Sequence, residues 1–202
     1  MTHARESYGR ERLTWVDRFG IWLSRRAILR WLPNRSNLSV LDVGCGYRAM
    51  HLTMLGERIE RGVGIDFSIA PEIKGQAKLE FMEGPVEQSL PRLRDNTFDL
   101  VLMISVLEHL RDARAVLARA HAVLKPGGRL LVNVPTWRGK WWLELSAFRL
   151  GLSPKEEMDD HKMYYDKRDL WPLLIEVGFK PSQLCLRYHK FGLNLFAVGT
   201  KA

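Results

Sequence analysis

Asp42, Gly44, Gly46 and Asp66 combine residue types and spacing that suit a ligand site. The run "VLDVGCGYRAM", from Val40 to Met50, ends an apolar stretch in an acid and then supplies Gly-Cys-Gly. Without a β-carbon, Gly44 and Gly46 let the backbone approach a ligand closely. A second apolar stretch, "GVGIDF", ends in Asp66, twenty residues after Gly46. An acid at the end of a neighbouring strand accepts hydrogen bonds from ribose hydroxyls. A lone Gly-x-Gly is commonly a structural turn, but the glycines and the spaced acid together point to a nucleoside-bearing ligand.

Two such ligands compete. Gly44-x-Gly46-x-x-Ala49 satisfies the dinucleotide pattern that permits Ala at its last place, which reads as a nicotinamide- or flavin-dependent oxidoreductase. Asp42 argues against it, because a carboxylate beside the turn repels pyrophosphate. The same carboxylate suits an ammonium or sulfonium group, and S-adenosylmethionine carries both and no phosphate.

Two histidines are candidate general bases, needed only if an acceptor must lose a proton. His109 lies just past a strand candidate, at the carboxyl edge where ligands of open parallel sheets sit. The plainer account is a histidine at a helix start that orders Glu108 and the loop. His161 stands among Asp159, Asp160, Tyr164 and Tyr165, either as a base on a substrate wall or in a polar loop. No cluster has the spacing of a metal site, so no metal is expected.

These residues need elements to position them. Strands are predicted at Ser39–Val43, Gly62–Phe67, Leu79–Glu83, Phe98–Ile104 and Arg129–Val134. Several are continuous apolar runs, as expected for strands covered on both faces. "DARAVLARAHAVLK" is a strong Ala/Leu helix before the fifth. Alternating strand and helix predict a parallel α/β sheet. A helix near Asp166 to Val177 and an antiparallel hairpin of Gln183–His189 with Gly192–Thr200 follow. Residues 8–32 read as a helix, with Trp15, Phe19, Trp22, Leu23, Leu29 and Trp31 at spacings near three and four.

The chain of 202 residues is 46% hydrophobic and 27% charged, which suits one soluble domain. We read residues 1–202 as a single domain with a basic helical extension, 1–35, and an insertion or lid, 136–165. No apolar run reaches the ~18 residues of a membrane span. The first residues lack the apolar core of a signal peptide, and the two cysteines give no disulfide framework, so a cytoplasmic protein is expected. Of the net charge of +8, the first 35 residues carry +5. Such a segment can meet an anionic membrane, a nucleic acid or an anionic substrate, or be a solvated helix face. In the insertion, Trp137, Trp141, Trp142 and Phe148 alternate with Arg138, Lys140 and Arg149. Both segments therefore read either as packing against the sheet or as a lid or membrane-facing collar around an apolar substrate. No RNA-binding module accompanies the aromatics, so nucleic acid is not expected.

"VLDVGCGYR", "GVGIDFS", "FDLVLMISVLEHL" and "VLKPGGRLLVNVP" resemble, in order and spacing, the motifs of class I S-adenosylmethionine-dependent methyltransferases. The small-molecule branch with Glu-His-Leu after the fourth strand is the most similar. The resemblance covers roughly Ser39 to Val134 and extends more weakly to the final hairpin. It implies a Rossmann-like, doubly wound α/β fold: a seven-stranded, mostly parallel sheet with helices on both faces and an antiparallel final hairpin. It implies S-adenosylmethionine as cofactor and methyl transfer to a small or lipid-linked acceptor, at oxygen before carbon or nitrogen. Asp42, Gly44, Cys45 and Gly46 would line the methionine end. Asp66 would bind the ribose and Phe67 the adenine, with Pro85 and Val86 of Gly84–Glu87 at the adenine edge. Ile104 and Ser105 would close the floor. Arg48 replaces a frequent third glycine, and Pro85 replaces a frequent Asp that receives the adenine amino group. The remaining alternatives are a nicotinamide-dependent oxidoreductase and a non-catalytic nucleoside-binding or membrane-associated protein.

Overall fold

The computed structural model describes residues 14–140 and 162–202. Its strands are β1 (Leu38–Val43), β2 (Ile59–Asp66), β3 (Leu79–Glu83), β4 (Phe98–Ile104), β5 (Leu124–Pro135), β6 (Leu184–His189) and β7 (Asn194–Thr200). They form one sheet in the order β3-β2-β1-β4-β5-β7-β6. The first five run parallel, and β7 runs antiparallel to both β5 and β6. Chain order reverses between β1 and β4, and the crevice beyond the carboxyl ends of strands at such a point is where open α/β sheets bind ligands.

The helices are α1 (Trp15–Trp31), α2 (Met50–Leu55), α3 (Pro71–Lys74), α4 (Val86–Ser89), α5 (Ala113–Val123) and α6 (Lys167–Glu176). Strand alternation divides the core between the two faces. Val40, Leu100, Leu102 and Leu131 pack with Ile28 and Leu32 of α1 and Leu52 and Leu55 of α2. Leu41, Val43, Val101 and Val132 pack with Val116, Leu117 and Ala120 of α5 and Leu170 and Leu174 of α6. Both faces are covered, which is why the strands read as apolar runs.

Local chemistry sets the helix starts. Asp112 accepts the N–H of Ala115 at 2.9 Å and opens α5. A reciprocal pair, Asp166 and Asp169, caps α6, with the Asp166 N–H donating to Asp169 Oδ2 at 2.7 Å. That cap holds the first turn although Pro172 lies inside the helix.

The carboxyl end of α1 is pinned to the sheet. Arg129 Nη1 donates to the Trp31 carbonyl at 2.8 Å. Asp99, 2% exposed, accepts the Ser39 N–H at 2.8 Å and pairs with Arg35 and Lys125. Arg35 of the basic extension is therefore a structural counter-ion. The aromatic spacing in α1 marks a face turned away from the sheet. Trp15, Phe19, Trp22 and Leu29 are exposed, whereas Ser24, Ile28 and Leu32 are buried. A period of three to four identifies a stripe without saying which side it faces.

Candidate functional site

The loop after β1 and the acid after β2 are built as one unit. Gly44 and Gly46 have φ of 69° and 74°, a left-handed backbone that glycine adopts without a steric penalty. The Gly46 N–H donates to Asp66 Oδ2 at 2.7 Å, and the Phe67 N–H donates to Oδ1 at 2.8 Å. The N–H groups of Gly44 and Cys45 both donate to the Ile65 carbonyl, at 2.8 and 3.1 Å. The loop is thereby folded over the end of β2.

Gly44 has a further reason to lack a side chain. A β-carbon there would lie 2.3 Å from Val106 Cγ2. Sequence reasoning assigned this glycine to ligand approach; in the fold it also lets the β1 loop close on the segment after β4. Cys45 contributes its backbone to the loop, while its side chain is in the core on the α1–α2 face. Burial, with Asp42 and Asp66 nearby, pushes its thiol pKa up, so it is an unreactive thiol.

Asp42 is the outlier in the site. It is fully buried, and neither carboxylate oxygen has a hydrogen-bond partner. Burial first, and the neighbouring Asp66 second, raise its pKa well above the usual carboxylate range. A buried acceptor without a donor is costly. Its two orphaned oxygens fit a ligand that brings N–H donors or positive charge, and they reject a phosphate. S-adenosylmethionine fits on those grounds: Asp42 would suit its cationic end, and Asp66 would keep acceptor capacity for its hydroxyls.

The remaining walls come from the other carboxyl ends. Ile69 N–H donates to Glu83 Oε1 at 2.8 Å and Lys74 Nζ donates to Oε2 at 2.8 Å, which fixes the segment after Asp66. Phe67 is 37% exposed and so presents a ring beside Asp66. Pro85 caps α4, and Val86 is buried behind it. Ile104 is half-buried, and Ser105 has φ 57° with its N–H bonded to the Asn133 carbonyl at 2.8 Å. Non-glycine residues in that conformation mark a backbone held in place by its surroundings.

His109 sits on the single turn Leu107–His109 directly after β4, half-buried, with its carbonyl accepting from Lys162 Nζ at 2.7 Å. His161, Asp159 and Asp160 lie outside the described residues, as do Trp141, Trp142, Phe148 and Arg149. Tyr164 and Tyr165 are buried rather than parts of a polar loop. The Tyr165 N–H reaches the Pro135 carbonyl at 3.0 Å, and Tyr164 packs at 5.6 Å on the ring of Trp137.

Sequence reasoning missed three titratable groups here, Glu108 buried and His51 and Lys190 half-buried. Glu108 is 1% exposed with Oε2 unpartnered, and burial pushes its pKa up to about 8. His51 of α2 has an unpartnered buried Nδ1, and burial, then Arg25 and Lys190, lower its pKa to about 4. Lys190 precedes β7, and burial lowers its pKa to about 8 against the opposing pull of Glu108. Glu108 carried a signal, an acid inside "VLEHL". Lys190 is brought in by a distant hairpin and carried none.

Comparisons with known proteins agree with this geometry. A family model described as a methyltransferase domain matches residues 16–184. The ubiquinone biosynthesis O-methyltransferase of Bradyrhizobium sp. (strain ORS 278) is 37% identical over 107 residues, 48% of this chain and 40% of that protein. The protein of the same name from Pseudomonas paraeruginosa is 28% identical over 115 residues, 52% of this chain and 49% of that protein. The match thus spans less than half the length of these relatives. Among solved structures, one chain of the Haloferax volcanii Trm112 activator–methyltransferase complex aligns at TM-score 0.70 and 16% identity, covering 89% of each chain. A phosphoethanolamine N-methyltransferase of Haemonchus contortus, solved with S-adenosylhomocysteine, aligns at TM-score 0.66 and 15% identity over 90% of this chain and 53% of its own. Sheet order, the acid–glycine–acid site and the family match lead to one assignment: the chain belongs to the S-adenosylmethionine-dependent methyltransferases of class I.

Proposed function

We propose that this protein methylates an oxygen of a small or lipid-linked acceptor. The observation that carries the reading is the pair of unpartnered oxygens on buried Asp42 beside the glycine loop. They favour a cationic, phosphate-free cofactor and weigh against a nicotinamide dinucleotide. The name of the relatives, O-methyltransferases of ubiquinone biosynthesis, supports oxygen as the accepting atom. Bound beside Asp42 and Asp66, S-adenosylmethionine would supply the methyl group that the acceptor oxygen takes, its sulfur keeping the electron pair.

His109 is the residue we assign as general base, taking the acceptor's hydroxyl proton. Its place after β4, at the carboxyl edge of the sheet, supports this assignment. His161 is a second candidate. Holding two substrates in line can supply roughly 7–11 kcal/mol of the barrier, so the base adds to a reaction that positioning already favours. The basic extension and the 136–165 insertion are assigned as the walls of the acceptor site within a single domain. No helix among the described residues is long and apolar enough to cross a membrane. The outward aromatic–arginine face of α1 supports peripheral contact with an anionic membrane from the cytoplasm.

Calorimetry with S-adenosylmethionine, S-adenosylhomocysteine and NAD tests the cofactor. The first two bind and NAD does not; tighter binding of NAD overturns the reading. Mass analysis of a small-molecule and lipid extract incubated with the protein and methyl-labelled cofactor tests turnover. His109→Gln is expected to slow it roughly 10²–10⁴-fold with cofactor binding intact. Cofactor binding with no labelled product in any extract favours the non-catalytic alternative.

A further inference from the structure

A cleft opens beside the end of α1, over β5, β7 and β6. Arg129 on β5 pairs with Thr200 on β7, and Val198 on β7 pairs with Cys185 on β6. Alternate residues of a strand share a face. Val198 and Cys185 pack with the α1–α2 half of the core, as does Leu131 two residues after Arg129. All four side chains therefore stand on the α1 face. Together with Trp31, the last residue of α1, and Gln183, just before β6, they line a cleft of about 330 Å³. It lies towards the amino ends of the parallel strands, whereas the glycine loop and Asp66 lie at their carboxyl ends.

The lining selects a ligand by charge. The Arg129 guanidinium is permanently charged and carries several N–H donors in one plane. One of them goes to the Trp31 carbonyl at 2.8 Å. Among the described residues, no Asp or Glu lines the cleft, so nothing in its walls balances that cation. A carboxylate is the group that a guanidinium receives with paired, parallel hydrogen bonds. One fixed cation balances one negative charge, which favours a carboxylate over a doubly charged phosphate.

The other walls add two requirements. Gln183 Oε1 is buried without a donor, and a buried acceptor left unpaired is costly. The complementary ligand therefore brings an N–H or O–H beside its carboxylate. Trp31 and Val198 are apolar and suit a ring or a branched chain. The volume is near the lower end of the range for small-molecule sites, about 300–1,000 Å³, so that body is small.

We propose that this cleft is a second ligand site, for a small organic acid with an apolar body and one further hydrogen-bond donor. Arg129 holds the carboxylate, Gln183 takes the donor, and Trp31 and Val198 enclose the apolar part. The site is separate from the cofactor loop and does not depend on the methyl-transfer reading. Because Arg129 also holds the end of α1, an occupant is tied to the helix assigned as a wall of the acceptor site.

The test uses the full chain and three ring-matched probes. Phenyllactate carries a carboxylate and a hydroxyl, phenylacetate the carboxylate alone, and phenylethanol the hydroxyl alone. By calorimetry, phenylacetate is expected to bind at least about ten-fold more tightly than phenylethanol, as for a hydrogen bond to a charged group. Phenyllactate is expected to gain about two- to ten-fold more from its hydroxyl. Arg129→Met should bring phenylacetate and phenylethanol within about two-fold of one another, and Arg129→Lys should restore part of the difference. Gln183→Leu should remove the advantage of phenyllactate over phenylacetate, and it carries the test should Arg129→Met fail to fold. Cys185 reports the place, since Cys45 is buried. N-ethylmaleimide is expected to modify Cys185, and phenyllactate at about ten times its dissociation constant to slow that about ten-fold by occupancy. Equal affinities for the three probes, no binding of either acid, or binding without protection of Cys185 overturns the inference. So does displacement of phenyllactate by S-adenosylhomocysteine, or a Cys185 that the reagent does not reach in the free protein. Failure to bind S-adenosylhomocysteine removes the methyl-transfer reading and leaves this one standing.

Discussion

The N–H of Gly46 donates to Oδ2 of Asp66 at 2.7 Å, so the glycine loop and the acid on the next strand are joined before any ligand arrives. Asp66 does two jobs with one carboxylate. Its oxygens hold the backbone at Gly46 and Phe67, and their remaining lone pairs are the ones proposed to receive the ribose hydroxyls. Asp42, one strand away, holds nothing in the protein. The two acids should therefore fail differently when changed.

Asp42→Asn keeps the shape and removes the carboxyl that can ionise beside a cationic ligand. We expect cofactor affinity to fall about 10–100-fold, equivalent to roughly 1.5–3 kcal/mol for a hydrogen bond to a charged group, with the apo protein as stable as before or more so. Asp66→Ala loses two backbone acceptors and should lower both affinity and melting temperature. Calorimetry and thermal melts on the two variants separate the cases. Wild-type affinity for S-adenosylmethionine in Asp42→Asn would remove Asp42 from the site.

Gly44→Ala places a β-carbon 2.3 Å from Val106 Cγ2 in a backbone with φ of 69°. Overpacking of this kind costs about 1–3 kcal/mol. Val106→Ala in the same chain should recover part of that loss, because it removes the clashing methyl groups but not the backbone strain. A double-mutant cycle in denaturant is expected to give a coupling of about 0.5 kcal/mol or more. Strict additivity would mean that the loop moves away and that the close approach is unimportant.

Burial sets opposite pH slopes at the site. Glu108 has a folded pKa of about 8, above that of the unfolded chain. The folded state then holds the extra proton, so stability is full below the unfolded pKa and is lost as pH rises towards 8. His51, at about 4 when folded, does the reverse: the unfolded state holds the extra proton, and stability is lost as pH falls from about 6.5 to 4. Below about pH 6.5 the two slopes oppose each other. Between about 6.5 and 8 Glu108 acts alone of the two, and the raised pKa of Asp42 works in the same direction. Apo stability should therefore decline across that window, and Glu108→Gln should flatten the decline. A Glu108→Gln profile parallel to wild type between pH 6.5 and 8 would show that the carboxyl is already ionised there.

The strands and the acid–glycine–acid site were legible because they are local. β3 and β4 have the ends their apolar runs suggest, Asp42 lies one residue before the end of β1, and Asp66 is the last residue of β2, one residue short of the expected Phe67. β5 was read short: the structure begins it at Leu124, where Phe98 pairs with it before a register shift across the Pro-Gly-Gly stretch. Gly44 was legible as a special backbone position, but its clash partner, Val106, comes from another strand's loop. The approach of Lys190 to α1, with its Nζ 3.7 Å from a β-carbon built on Gly20, was not legible at all. It depends on the pairing of Pro135 with Asn194, a long-range register that carries the hairpin turn to the site edge.

The outward face of α1 carries the last prediction. Trp15, Phe19, Trp22 and Leu29 recur at spacings of three, four and seven on the side opposite the buried Ser24, Ile28 and Leu32. Phe19 and Trp22 stack at 5.8 Å, and the Arg26 guanidinium lies 4.9 Å above the Trp22 ring. Arg18, Arg25 and Arg30 are exposed on the same helix. An aromatic stripe flanked by arginines is the composition of a helix that lies in a lipid interface, with about 1 kcal/mol from each basic residue near an anionic surface. We expect the protein to co-sediment with vesicles containing phosphatidylglycerol and not with purely zwitterionic ones. Binding should fall steeply as salt is raised, since the screening length is only about 10 Å at 0.1 M and shorter beyond it. Trp22→Ala with Phe19→Ala should weaken binding at every salt concentration, because burial of apolar rings is not screened. Arg18→Glu with Arg26→Glu should abolish the salt-sensitive part. Both double variants touch exposed side chains and should melt as wild type does. Absence of binding to anionic vesicles at low salt would remove the membrane from the account of this face.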